Sequence, residues 1–122
     1  MMFNHKVASY DLSSNELGDN GIAIIAEALY RTSHIIQINL KANNIQWQGV
    51  RYLAKALSVN NSLINLNLSS GKSGGNNRNR VMERGAFELS EALASNYYLL
   101  ILDLSGNAIC NEGLSYLLPA IV

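Results

Sequence analysis

The feature that most constrains this chain is that it repeats itself. Aligning Val7, Ile35, Leu63 and Leu99 places Tyr10, Ile38, Leu66 and Leu102 three residues on, and Leu12, Leu40, Leu68 and Leu104 two beyond those. The same register then brings up Asn15, Asn43, Asn79 and Asn107, followed by Leu17, Ile45, Val81 and Ile109. Gly21, Gly49, Gly85 and Gly113 come next, and then Ala28, Ala56, Ala92 and Ala120. Unit starts are separated by 28, 28 and 36 residues, so the third unit carries eight extra residues, which fall between Leu68 and Asn79. A period of this size means stacked units, each unable to bury its apolar side alone.

Each position has a physical reason. The apolar triplets predict short strands at about 7–12, 35–40, 63–68 and 99–104 with one buried side, and Asp11, Asn39, Asn67 and Asp103 face the other way. The recurrent Asn suits a turn away from the strand, and stacked copies would form a ladder of side chain to backbone hydrogen bonds. After each Gly, apolar residues recur at helical spacing, as in Val50, Leu53, Ala54 and Leu57. The small Gly and Ala allow helix and strand to approach closely. The chain thus reads as one domain over residues 1–122, with repeats at about 7–34, 35–62, 63–98 (inserted loop 69–78) and 99–122.

The pattern L-x-x-L-x-L-x-x-N-x-L/I-x-x-x-G-x-x-x-L-A-x-A-L resembles the ribonuclease-inhibitor-like class of leucine-rich repeats from Val7 to Val122. That resemblance implies an α/β fold: a right-handed curved solenoid of four repeats, with a parallel sheet on the concave side and helices on the convex side. Proteins of this class include inhibitor scaffolds, innate-immune sensor domains, actin-filament capping proteins and activators of the Ran GTPase. The expected function is a non-enzymatic protein–protein interaction module; the alternative is a regulator of a small GTPase resembling the Ran activators.

Three departures from the pattern carry expectations of their own. Ser69 to Arg78 is too polar for core and should be the most mobile internal segment, so that deleting Gly71 to Asn77 leaves the melting temperature nearly unchanged. Pro119 lies inside the fourth helical pattern and should end or kink it. Neither end carries a recognisable polar cap, although the Met1-Met2 start has the form of a native beginning. Val7–Leu12 and Leu99–Leu104 should therefore present unpaired edges, and a weak homodimer through one terminal repeat is expected unless Met1, Met2 and Phe3 cover the first.

Composition narrows the partner class. Nine basic side chains balance nine acidic ones in 122 residues, which removes the electrostatic case for nucleic acid or an anionic membrane. The start has no signal-peptide run and no segment is long and apolar enough to span a bilayer. A lone cysteine, Cys110, makes no internal disulfide, in keeping with a cytoplasmic protein. The sequons at Asn60 and Asn67 are read as chance in an Asn-rich and Ser-rich chain.

Chemistry of a catalytic kind finds no foothold. Gly71-Lys72-Ser73 ends like a phosphate-binding loop, but Leu66 stands where the first Gly is required. His5 and His34 lack ligand-spaced neighbours, and there is no Gly-x-Ser-x-Gly elbow. No cofactor or metal is implied.

Candidate partner-binding residues lie instead on the concave face: Ser9, Asp11 and Ser13, then Gln37, Asn39 and Lys41, then Asn65, Asn67 and Ser69, then Ile101, Asp103 and Ser105. A merely solvated sheet face would be polar too. Lys72, Arg78 and Arg80, with Arg84 just beyond, form the one dense basic cluster, either a contact for an acidic partner or solubilising charge on a loop. Trp47 stands where the other repeats carry Asp19, Glu83 and Asn111, so it is either an exposed contact residue or folded back over the return loop. Tyr97 and Tyr98 pose the same choice.

Overall fold

Strand and helix alternate four times along the chain, in a computed structural model that describes residues 7–72 and 75–121. The elements are β1 (Ala8–Asp11), α1 (Gly18–Arg31), β2 (Ile35–Asn39), α2 (Trp47–Leu57), β3 (Asn65–Asn67), α3 (Met82–Leu93), β4 (Ile101–Asp103) and α4 (Cys110–Ile121). All neighbouring strands pair in parallel, in the order β1-β2-β3-β4. The repeat register is also the pairing register: Tyr10 stands beside Ile38, Ile38 beside Leu66, and Leu66 beside Leu102. Helices pack side by side in the same order, α1 on α2, α2 on α3 and α3 on α4.

One continuous core runs between the two layers. Leu40, Ile45, Val50, Leu53, Leu63, Leu66, Leu68, Val81 and Leu89 are fully buried in it. The recurrent glycines make the layers fit. A Cβ on Gly49 would collide with the Asp19 carboxylate, and that carboxylate accepts the Gln46 amide at 2.8 Å, tying α1 to the start of α2.

The predicted asparagine ladder is present. Asn43 Oδ1 accepts the amides of Asn15 and Leu17, and its Nδ2 donates to Leu12 O at 2.9 Å. Asn79 does the same one repeat on, accepting from Asn43 and Ile45 and donating to Leu40 O. Asn107 accepts from Val81 and donates to Leu68 O. Each side chain therefore satisfies backbone groups of the preceding repeat, which is why three polar residues can be buried. The ladder also holds a sharp bend. Ser14 and Glu16, Ala42 and Asn44, and Gly106 and Ala108 flank these asparagines at positive φ, a conformation that disfavours side chains by about 1–2 kcal/mol per residue.

A second ladder was not anticipated. Asn60 donates to Leu29 O at 2.8 Å and accepts the amides of Ser62 and Leu63; Asn96 donates to Leu57 O at 2.7 Å and accepts from Tyr98 and Leu99. These side chains close the C-terminal ends of α1 and α2. Asn60 is buried and is no glycan acceptor, and Asn67 lies in β3.

Two expectations change, and a third, the open first repeat, holds. Ser69 and Ser70, assigned to a solvent-side loop, are buried, because the ladder geometry continues through them: Ala42 N donates to Ser69 O and Ser70 N to Ser105 O. The extra residues begin at Gly71, and the loop returns to the framework where Asn44 N donates to Asn77 O at 2.8 Å. Pro119 lies inside α4, which runs on to Ile121, so it does not end the helix. Finally, Val7 and Tyr10 occupy core-side positions yet are exposed, since no preceding repeat among the described residues covers them. The expected cover by Met1, Met2 and Phe3 lies outside the described residues, as do His5, Ser73, Gly74 and Val122.

Candidate interaction surface

Parallel pairing in register converts the strand side chains into rows across the sheet. Ser9, Gln37, Asn65 and Ile101 form one row, and Asp11, Asn39, Asn67 and Asp103 the next. With strands about 4.8 Å apart, each row of four extends roughly 14 Å.

The two rows differ in what their side chains already do. In the second row each side chain turns one oxygen, Oδ1, back on its own strand end. Asp11 Oδ1 accepts from Ser13 N at 3.0 Å, Asn39 Oδ1 from Lys41 N at 3.0 Å, Asn67 Oδ1 from Ser69 N at 2.9 Å and Asp103 Oδ1 from Ser105 N at 2.9 Å. These are Asx-type turns that hold the chain as it leaves the sheet. The Ser13 and Ser105 hydroxyls add bonds to Asp11 and Asp103 at 2.6 and 2.7 Å. Both carboxyls are held below the usual aspartate value, chiefly by those hydroxyls and then by the serine amides; Lys41 adds a small further pull on Asp103.

The first row is free of such duties. Among the described residues, Gln37 and Asn65 make no side-chain hydrogen bond, and Gln37, Ser9 and Ile101 are exposed while Asn65 is half-buried. Ile101 adds an apolar contact, 53% exposed, at the repeat-four end of the row. Lys41 and Ser105 lie exposed at the strand exits, Ser13 is half-buried, and Ser69 has left the accessible face.

Beside the exit of β2 the basic residues gather. Lys41, Lys72 and Arg78 line a pocket of about 410 Å³, and Arg78 and Arg80 line an adjoining one of about 300 Å³. Trp47 is half-buried, and the Arg84 guanidinium of α3 lies over its ring, 4.1 Å from the centroid. That cation–π contact joins α2 to α3 and explains why an aromatic residue replaces the polar one found elsewhere in the register. Tyr97 and Tyr98 are exposed, next to an apolar cavity of about 800 Å³ at the open side of repeat four lined by Leu99, Leu102, Leu104 and Leu117. Among the described residues, no cluster of His, Cys, Asp or Glu could hold a metal ion, and no helix is long and apolar enough to cross a membrane.

Comparison with known proteins agrees with this geometry. A leucine-rich-repeat family model matches residues 4–26 and 95–118, the first and last units of the array. No curated protein matches the sequence. Among solved structures, one described as the tropomodulin C-terminal domain, from structural genomics of Caenorhabditis elegans, is similar at a TM-score of 0.55 and 16% identity, over 96% of this chain and 83% of its own. Identity that low bears on the fold alone. With two units matched by the family model and all four built on one strand-turn-helix plan, the chain has the architecture of a leucine-rich-repeat solenoid.

Proposed function

We propose that this chain is a non-enzymatic module that binds a partner protein on the sheet face turned away from its helices. Leucine-rich repeats generally mediate protein–protein interaction, and solenoids as a class bind on their extended curved surface. The observation that carries the proposal is the division of labour between the two rows. The Asx row is committed to the fold, whereas Ser9, Gln37, Asn65 and Ile101 present uncommitted polar groups and one apolar side chain at strand spacing. A row with no internal role yet fixed in position by the sheet is a preorganised contact surface.

The test uses a photo-crosslinking residue at Gln37, with Tyr52 on the helix side as the control position. The expected outcome is a protein captured through position 37, lost in the Gln37→Arg, Asn65→Arg double variant, whose melting curve stays unchanged. Asn39 and Asn67 are poorer choices, since replacing them also breaks a turn. Capture through position 52 alone, or capture indifferent to the double variant, would overturn the proposal.

A further inference from the structure

Lys41 and two cations of the inserted loop, Lys72 and Arg78, come together beside the exit of β2. Lys41, Lys72 and Arg78 line the larger basic pocket together with Ser70, Asn76 and Asn77, and among the described residues no carboxylate lines it. Arg78 lines both this pocket and the smaller one, as do Gly75 and Asn76. Its Nε is fully buried and has no hydrogen-bond acceptor among the described residues. A solubilising arginine would keep its whole guanidinium in water; this one has a donor withdrawn from solvent with no acceptor in exchange among the described residues. A buried charged donor of that kind is costly unless a ligand answers it.

The surroundings are fixed in advance. Asn44 N holds Asn77 O at 2.8 Å, and Arg80 N holds Ile45 O at 2.7 Å, so both flanks of Arg78 are pinned to repeat two. Gly71 enters the loop at φ +90°, against Ala42, so close that a Cβ there would lie 2.7 Å from the alanine Cβ. Two lysines contribute point charges and the arginine a planar fork, the combination that suits an oxygen anion.

We infer that this pocket takes an oxyanion, a carboxylate or phosphoryl group, carried by the protein that docks on the sheet face. The inference rests on the function proposed above for its carrier, and Lys41 connects the two surfaces because it lies at the end of β2. Nucleic acid fits less well. The chain has no net charge to attract a polyanion, and no aromatic ring among the described residues lines the pocket to stack a base.

Inorganic phosphate is the first probe, titrated at constant ionic strength into the full chain while the Arg78 Nε–Hε signal and the Asn76 and Asn77 amides are followed by NMR. Saturable shifts of all three signals are expected. K72Q should bind about tenfold more weakly and R78Q should abolish the response of the amides, while K55Q on the helix side changes nothing. Melting curves confirm that the variants fold. Acetate, a glutamate-rich peptide and a phosphoserine peptide then distinguish the two sources of oxyanion. Shifts that never saturate, or that persist unchanged in R78Q, overturn the inference. Phosphate binding requires no partner protein, so its failure leaves the sheet-face reading intact. Lost protein capture with phosphate binding retained would overturn that reading instead.

Discussion

Asn15 and Asn79 occupy the same register position, yet one is exposed and the other fully buried. Asn79 makes five hydrogen bonds, to Asn43 N, Ile45 N, Leu40 O, Leu68 O and Ser69 O. Asn15 has no repeat before it among the described residues, and its Nδ2 donates only to Leu12 O and Ser13 O of its own unit. The apolar positions divide in the same way. Val50 is completely buried, while Leu114, its equivalent in repeat four, is 47% exposed. In this array a residue's energetic weight comes from the neighbour it stacks on, as expected where stability is a sum of units and interfaces.

The largest effect that can break this comparison is at the ladder. Asn79→Ala strips partners from several buried backbone groups at once and is expected to cost about 3–5 kcal/mol, against under about 1 kcal/mol for Asn15→Ala. Urea denaturation of the two variants is the measurement, and equal losses would mean that the ladder is not what joins the repeats.

The core gives an intermediate effect. Val50→Ala should cost about 2 kcal/mol, and Leu114→Ala about 1 kcal/mol or less although it removes more atoms, because only the first leaves a cavity. If the larger side chain matters more, the open side of repeat four must be covered in solution, and the midpoint of its denaturation should then depend on protein concentration.

The smallest effect distinguishes the two end strands from the middle pair. Asp11 and Asp103 have carboxyls held below their ordinary value, whereas Asn39 and Asn67 make the equivalent turn bond without a charge. A folded value below the unfolded one, about 3.9, means stability that is fully present above it and lost as pH falls through the folded values. Acid denaturation should therefore show a shallow loss below about pH 4. The Asp11→Asn, Asp103→Asn variant keeps the turn bonds and should flatten that loss; an unchanged profile would assign the acid sensitivity to other carboxylates.

Much of this was legible in the sequence. The apolar triplets located all four strands, and the helical spacing located all four helices. The phase of Asn15, Asn43, Asn79 and Asn107 revealed a ladder, because a repeated residue must meet its own copy when units stack. The second ladder left a fainter trace. Asn60 and Asn96 share a register, but Thr32 stands at that position in repeat one, so only two copies recur.

What the sequence determined by itself is periodic: which residues are core, which are turn, and how strand follows helix. What only the tertiary structure decided is aperiodic. Ser69 and Ser70 look like loop in composition and are buried where the exits of β2 and β4 supply hydrogen-bond partners from the neighbouring units. Asp11, Asn39, Asn67 and Asp103 look like contact residues, and each also turns its Oδ1 onto its own strand end. Trp47 meets Arg84, and Lys41 meets Lys72 and Arg78, across separations that no repeat encodes. Local spacing fixes which face a side chain takes. Whether that face is covered, and by which partner, depends on contacts between distant segments, and those exist only once the units have stacked.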